Sequence, residues 1–387
     1  MSDSPAAGTD LERRALVAGG CRLAFGGGLL AAACPATEAA TAAAPTEPPL
    51  RVAVLTHAGA AHLGLYFRAL AAAESVSEVV LADPDAASVE EARMLIGEKL
   101  VGVHRDHAAA CHDGRPRLAL VSTEAVRGPA AIAAALDAGC HVLAEKPACV
   151  SAADFSPLAE RAETAGLHLM LALANRLAPE VIEAKRLVSE GAIGRPYAIE
   201  MHLVQDQTRL RGAAYQASWF ADPARAGGGH LAWLGIHWLD LAMHLVDAAI
   251  VEVAAFTGNV GGAAVAIEDA AAVVLRFAGG PLGTLTSGYY LEAGYQSHLR
   301  IWGSGGWLSL DTAAEPVLVV QRHGDVPTVV TPPRGRDVYA ALVEAAARAA
   351  AGSAPPPLAT RDSLRAVRAV FAGYEAASTG RRVVVAD

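Results

Sequence analysis

Apolar and polar positions follow one another in two regimes along this chain, with the change at about residue 170. In the first regime, residues 51–56 (RVAVLT) form a short β-branched run, followed by a Gly/Ala turn and a helical period through Ala73. Residues 78–82 repeat the strand signal. A helix from about Ser88, a strand at 118–122, a helix at 129–138 and a strand at 141–144 continue the alternation. Strand and helix in regular exchange predict a doubly wound parallel sheet over residues 50–170, a dinucleotide-binding arrangement.

In the second regime an amphipathic helix at 179–190 and a longer one at 230–246 precede strands at 251–257, 270–277, 282–291, 297–303 and 317–321. Turn signals such as Ala278-Gly279-Gly280-Pro281 separate those strands, so hairpins in a mostly antiparallel open sheet are expected. The fold class predicted is therefore α/β, an N-terminal doubly wound Rossmann domain with a C-terminal α+β domain. The second domain is assigned residues 171–355. Residues 337–351 and 360–378 are helical again, and the segment 356–387 is expected to pack back on the first domain.

A chain of 387 residues has room for two such cores after a leader. A formal charge of −9, with arginines scattered singly, offers no basic stripe for a phosphate backbone, so nucleic acid is not an expected partner. No run of about twenty uncharged apolar residues occurs after residue 50, so no transmembrane domain is expected. The body cysteines at 111, 140 and 149 lack C-x-x-C spacing, so neither a structural metal nor a disulfide framework is expected. His104, His107, Cys111 and His112 have ligand chemistry but sit in a polar segment, and no metal is assigned to them.

Residues 1–49 read as an export leader and linker: Arg13-Arg14, a weakly apolar Gly/Ala stretch, then a low-complexity Ala/Thr/Pro/Glu segment. This is similar to a twin-arginine signal and predicts a periplasmic or otherwise exported protein, with Cys34 as an alternative lipid-anchor position. Arg22 interrupts the apolar stretch; a leader that does not function would leave the protein cytoplasmic.

The first strand-to-helix turn is Thr56-His57-Ala58-Gly59-Ala60-Ala61. Thr56, Ala58 and Ala61 stand where G-x-G-x-x-G has glycine, and Gly59 falls between them. Small residues there let backbone N–H groups and a helix N-terminus approach a pyrophosphate, although such turns also occur without a nucleotide. Asp83, at the end of the second strand, can accept hydrogen bonds from ribose hydroxyls and repel a 2′-phosphate, which favours NAD over NADP. An ordinary turn aspartate before Pro84 is the alternative.

Glu145-Lys146-Pro147 closes the strand at 141–144 and resembles the signature of the family that groups glucose-fructose oxidoreductase with inositol dehydrogenase. Further matches follow in family order. They are Asn175-Arg176 with Pro179, the run from Gly191 to Pro196, Trp219-Phe220, Gly227-Gly228-Gly229, Gly235-Ile236-His237-Trp238-Leu239-Asp240, and Gly303-Ser304-Gly305-Gly306. The resemblance implies that Lys146 reaches the reacting hydroxyl and that His237 serves as, or sits beside, the acid/base. Removing hydride from a carbinol carbon requires a base for the hydroxyl proton and a cation near the oxygen.

Cofactor contacts are expected from Thr56, Ala58, Gly59, Ala61, Asp83, Glu145 and Lys146, and substrate contacts from Arg176, His230, Trp233 and Asp240. Trp233 stands where the family pattern has an aspartate four residues before the histidine, and Arg127-Gly128 occupy a loop where the family offers Pro, Asn and His. Either His237 works without that carboxylate, or Asp240 takes a related role, or hydride transfer is impaired. The resemblance further implies a homo-dimer or homo-tetramer through the second-domain sheet.

The expected activity is NAD-dependent hydride transfer at a hydroxyl carbon of a sugar, sugar acid or cyclitol. A redox-neutral glycosidase or isomerase that retains NAD is one alternative. A non-catalytic sugar- or partner-binding descendant is another.

Overall fold

The computed structural model describes residues 50–387 apart from Ala314, Arg334, Arg336 and Asp387. The leader, the linker and Cys34 lie outside the described residues. Val52 and Val54 of β1 (Leu50–Leu55) point to one side and Ala53 and Leu55 to the other, and all four are fully buried. A strand covered on both faces has no polar alternation, which is why this segment reads as a continuous apolar run. The same holds for residues 79–82 of β2 (Val76–Ala82), for β4 (Leu118–Val121) and for residues 142–144 of β5 (His141–Ala144), each separated from the next by helix.

The first sheet runs β3-β2-β1-β4-β5-β6, all parallel, with β3 at Leu100–His104 and β6 at Leu169–Leu171. Strand order reverses between β1 and β4, and in open α/β sheets the crevice at such a point receives ligands. Helices α1 (Leu63–Ala72) and α2 (Val89–Ile96) cover one face. The other face carries α3 (His107–His112), α4 (Gly128–Asp137) and α5 (Ala152–Thr164). The sequence reading lacked β3, α3 and β6: β3 is an edge strand whose Val101 and Val103 are 49% and 41% exposed, and β6 has three residues.

After α6 (Pro179–Ser189) the second sheet begins with β7 (Pro196–Asp206). Two short helices, α7 (Ala213–Gln216) and α8 (Pro223–Ala226), lead into a π turn at Leu231–Gly235 and α9 (Ile236–Val246). The remaining strands are β8 (Ile250–Gly258), β9 (Ala270–Phe277), β10 (Leu282–Leu291), β11 (Tyr295–Gly303), β12 (Gly306–Leu310), β13 (Leu318–Arg322) and β14 (Thr328–Val329). Helices α10 (Val338–Ala350) and α11 (Thr360–Thr379) precede β15 (Val383–Val384).

The sheet order is β14-β13-β12-β11-β7-β10-β9-β8-β15, antiparallel except where β7 pairs β10. β7 was not anticipated as a strand, because Glu200, His202 and Gln205 dilute its apolar signal, yet it forms the middle of the sheet.

Helix α10, expected within the second domain, instead packs on α1, and its Leu342, Val343, Ala346 and Ala347 join the core of the first sheet. Helix α11 bridges the two sheets. Thr360 Oγ1 and Ser363 Oγ accept hydrogen bonds from the Leu169 and Leu171 amides of edge strand β6 at 2.9 and 3.0 Å, while its body packs on β8. No described helix is long and apolar enough to cross a membrane.

Candidate active site

The turn after β1 opens at the switch point. Gly59 has φ +76°, a left-handed conformation that glycine adopts without strain. Its carbonyl accepts the Trp219 indole N–H at 2.9 Å, so a residue from the second domain lies directly over the turn. The Ala58 amide donates to Asp85 at 2.9 Å. Thr56 and His57 are buried, and Thr56 Oγ1 and His57 Nδ1 have no hydrogen-bond partner. A groove of about 440 Å³ passes over the N-terminus of α1, between residues 57–65 of the turn and helix start and Ala87, Ser88 and Glu91.

Asp83 does not present a carboxylate to that groove. It is 0% exposed, and its oxygens accept from the Ser88 amide at 2.7 Å, the Ser88 hydroxyl at 2.6 Å and the Asp85 amide at 3.1 Å. Its role in the fold is to hold the loop that walls the groove. The turn-aspartate alternative describes it better than ribose binding.

Glu145 and Lys146 follow the carboxyl end of β5 and are both buried. Glu145 Oε2 accepts from the Tyr66 hydroxyl and lies 3.2 Å from His62 Nδ1. Burial raises the Glu145 carboxyl pKa, but His62, Lys146 and Tyr66 outweigh it and hold the group ionised. Glu145 Oε1 lies 3.8 Å from Lys146 Nζ and has no hydrogen-bond partner. Lys146 Nζ donates to the Trp233 carbonyl at 2.5 Å and sits 4.7 Å from the centre of the Trp233 ring. Burial pushes the Lys146 ammonium down to about 8, against the pull of Glu145 and with a further push from Arg209.

Trp233 belongs to the π turn that begins α9, a local widening often associated with functional sites. Its indole N–H is tied to the Ala226 carbonyl at 3.0 Å, which fixes the ring under Lys146. A cavity of about 290 Å³ lies between the turn after β1 and the second domain. Its lining includes Ala60, Ala61, His62, Lys146, Arg209, Tyr215, Phe220, Trp233 and Tyr289. Ala60 and His62 border the α1 groove as well, so groove and cavity adjoin.

His230 stands behind the cavity wall. Its Nδ1 lies 2.6 Å from Ser287 Oγ, its ring meets Tyr289 edge-on, and its Nε2 is unpartnered. Burial, aided by the charges of Arg209 and Lys146, lowers its pKa to about 3. His237 also has an unpartnered buried Nδ1, and burial with the charges of Lys146 and His62 pushes its imidazole well below the usual histidine range. The structure therefore brings Lys146, Trp233, His230 and His237 into one neighbourhood with the turn residues, Lys146 and Trp233 lining the cavity and the two histidines not among its lining residues.

Arg176 and Asp240, expected to touch substrate, are placed elsewhere. Arg176 holds Asp240 through two hydrogen bonds of 2.9 and 2.6 Å and reaches Asp362 of α11 at 3.0 Å. Both are buried, neither lines the 290 Å³ cavity, and their charges are spent on joining α9 to α11. Asp240 consequently does not replace the carboxylate that Trp233 displaces. His104 and His107 pair with Asp113 and the Thr56 carbonyl at 2.8 and 3.0 Å. Among the described residues no metal-binding cluster forms, and Cys111, Cys140 and Cys149 are buried free thiols.

Sequence reasoning missed Arg209, Tyr215 and Tyr289, which lie in stretches without a motif, and Tyr66, whose helical spacing reads as core. It also missed an ion cluster after β4. Glu124 is buried, its Oε1 lies 3.2 Å from His57, and it is held by Arg225 of α8. Gly128 is required beside it, because a Cβ there would fall 2.1 Å from the Ala148 carbonyl.

The five buried side-chain atoms without a partner among the described residues are Thr56 Oγ1, His57 Nδ1, Glu145 Oε1, His230 Nε2 and His237 Nδ1. Buried polar atoms are ordinarily satisfied. Two border the turn and three cluster with Lys146, so the unspent hydrogen-bonding capacity accompanies the groove and the cavity. With small residues along the turn and a helix N-terminus beyond it, these residues fit a dinucleotide with its pyrophosphate over Ala58–Ala61 and its nicotinamide toward Lys146.

Comparison with known proteins gives two matching family descriptions. Residues 54–173 match the oxidoreductase family with NAD-binding Rossmann fold, and residues 181–309 match the GFO/IDH/MocA C-terminal domain. Myo-inositol 2-dehydrogenase of Thermotoga maritima is 27% identical over 48% of this chain and 54% of its own length. The chain spans 54–62% of the length of three curated relatives that it matches. An oxidoreductase domain protein from Kribbella flavida superposes with a TM-score of 0.77 at 22% identity, over 88% of this chain and all of that one. Levoglucosan dehydrogenase in complex with NADH superposes with a TM-score of 0.77 at 20% identity, over 87% and 100%. At such identities the superpositions speak for the fold alone.

Proposed function

The chain belongs to the GFO/IDH/MocA family of NAD-binding Rossmann-fold oxidoreductases, and from that premise we propose that it transfers hydride between NAD and a hydroxyl carbon of a sugar, sugar acid or cyclitol. The observation that carries the reading is the concentration of unpartnered buried polar atoms around the turn and Lys146. A nicotinamide bound beside Lys146 supplies the hydride acceptor.

The chain's own residues do the rest. Gly59 and its alanine neighbours admit the pyrophosphate, and Glu145 keeps an anionic charge beside Lys146. Lys146, titrating at about 8, takes the hydroxyl proton in its neutral form and stabilises the alkoxide in its charged form. The Trp233 ring offers an apolar platform to the C–H face of the substrate, and the aromatic walls exclude water. His237, held neutral by its surroundings, is not among the residues lining the cavity; its unpartnered Nδ1 lies in the buried surroundings of Lys146 and serves the reacting end of the site.

The export reading of residues 1–49 and homo-oligomerisation are parts of the same proposal. The second sheet supports the latter, since Phe256, Val274 and Leu282 on β8, β9 and β10 are 82%, 56% and 51% exposed on one open face.

A redox-neutral enzyme that keeps its NAD is the second reading. It is favoured by the Trp219 bond to Gly59 and the Arg225–Glu124–His57 cluster, which tie the second domain over the turn.

Denaturing the purified protein and identifying any released nucleotide by mass spectrometry tests both. Near-stoichiometric NAD with no net NADH from added sugars supports the retained-cofactor form, and little bound NAD with sugar-dependent NADH supports the dehydrogenase. No released nucleotide and no binding on titration overturns the oxidoreductase reading.

A further inference from the structure

Arg209 follows β7 in a short 3₁₀ turn at Thr208–Arg211 and lines the same cavity as Lys146. Its guanidinium carbon lies 4.9 Å from the Tyr215 ring and 5.6 Å from the Tyr289 ring, so two aromatic faces steer it. Neighbouring arginines have acid partners: Arg211 bonds Glu292 at 3.1 and 3.2 Å, Arg225 bonds Glu124, and Arg176 bonds Asp240. The Arg209 carbonyl accepts the Gly212 amide at 3.2 Å, but its guanidinium makes no ion pair or hydrogen bond with any described residue.

The acids nearest the cavity are already engaged. Glu145 is held by His62 and Tyr66. Glu268 accepts from the Gly229 and Leu231 amides and from Tyr374 at 2.6, 2.9 and 2.7 Å. Asp206 accepts the Thr208 amide at 2.7 Å. None of the three lines the cavity. Two cations thus face about 290 Å³ of space with aromatic walls and no carboxylate among the lining residues, and the Arg209 charge is felt at both Lys146 and His230. Lys146 is buried and faces Glu145 at 3.8 Å, whereas Arg209 is exposed at the cavity, so an anion entering this space meets a guanidinium with no acid partner and a second cation deeper in.

We propose that the substrate is a monosaccharide acid, its carboxylate bound by the Arg209 guanidinium and its reacting hydroxyl at Lys146. The planar guanidinium matches one carboxylate through two parallel N–H bonds, and the aromatic walls receive the ring's C–H surfaces. A cavity at the low end of the roughly 300–1,000 Å³ typical of small-molecule sites accommodates one sugar ring. This proposal rests on the hydride-transfer reading for the role of Lys146, and names the substrate class of that same site.

The test titrates the NAD-loaded enzyme with D-glucuronate, D-galacturonate, D-gluconate, D-glucose and D-glucose 6-phosphate. Binding is followed by intrinsic tryptophan fluorescence, to which Trp233 of the cavity wall contributes, and NADH formation is followed in parallel. The expected result is at least about tenfold tighter binding of one of the acids than of glucose, the effect of a charge-assisted pair. That preference falls to near parity in Arg209→Gln and is partly kept in Arg209→Lys. Equal affinity for acids and glucose, an undiminished preference in Arg209→Gln, or tighter binding of glucose 6-phosphate than of every acid overturns the proposal. An Arg209-dependent acid preference without net NADH supports the substrate class and counts against the dehydrogenase reading. Net NADH from glucose with no acid preference does the reverse.

Discussion

Lys146 is a cation that its surroundings make easy to discharge. Burial removes water from the ammonium more than Glu145 compensates, so it titrates at about 8, while the imidazole of His237 stays neutral far below that. Oxidation of a hydroxyl needs the neutral amine, so kcat/KM for oxidation is expected to rise as pH increases through about 8 and then level. The reverse reduction needs the ammonium and is expected to fall over the same interval. Initial rates from pH 6 to 10 check this, and a controlling limb near 6.5 would reassign the acid/base role to an unshifted histidine. Lys146→Ala is expected to lower kcat/KM by about 10²–10⁴-fold. Nucleotide released on denaturation should stay at the wild-type level in that variant if, as proposed, the turn residues carry the pyrophosphate. The sequence identified Lys146 from its signature and Trp233 as a departure, but not the Trp233 carbonyl as the lysine's acceptor. Backbone acceptors have no residue-specific signal.

At the scale of elements, the triple glycine before the π turn shows why a motif can be structural and functional at once. A Cβ on Gly229 would lie 2.1 Å from the Glu268 carbonyl, backbone that cannot step aside, and the Gly229 amide is already bonded to the Glu268 carboxylate. Gly229→Ala is expected to cost at least about 2 kcal/mol in denaturant unfolding, in line with other strained or overpacked positions. Arg176 ties α9 to α11 through Asp240 and Asp362, and truncating it leaves a carboxylate buried without its cation. Arg176→Met is expected to destabilise by about 3–5 kcal/mol. Below its lowered melting temperature the variant should bind NAD as the wild type does, because this cluster lies apart from the groove. A substantial loss of NAD affinity in the folded variant would return Arg176 to the site. The strands β1, β2, β4 and β5 were legible because burial on both faces leaves unbroken apolar runs, whereas β7 alternates Glu200, His202 and Gln205 with its apolar residues. Its position between β10 and β11 is a long-range pairing that no local window contains.

The molecule as a whole buries several histidines in neutral form. Burial lowers the pKa of His230 to about 3, and burial with neighbouring charges lowers His141 and His244 to about 4. The unfolded chain protonates these rings near the ordinary value of about 6.5. Their contribution to stability is therefore complete above that pH and is lost as pH falls from about 6.5 toward about 4 for His141 and His244 and about 3 for His230. Thermal unfolding is expected to shift down by several degrees between pH 7.5 and 5.5, before most carboxylates titrate. A melting temperature constant over that interval would show that these rings remain accessible to protons in the folded state.

The sequence by itself determined the α/β domain, the mostly antiparallel second sheet, the family and the position of Glu145-Lys146-Pro147, because periodicity and short motifs are local properties. Tertiary structure alone decided how charges are shared. It spent Asp83 on Ser88 and paired Arg176 with Asp240. It also set Lys146 on Trp233 and brought Arg209 to the cavity unpaired. Whether a polar side chain is satisfied depends on groups tens to hundreds of residues away, and the fold must first bring them within about 3 Å.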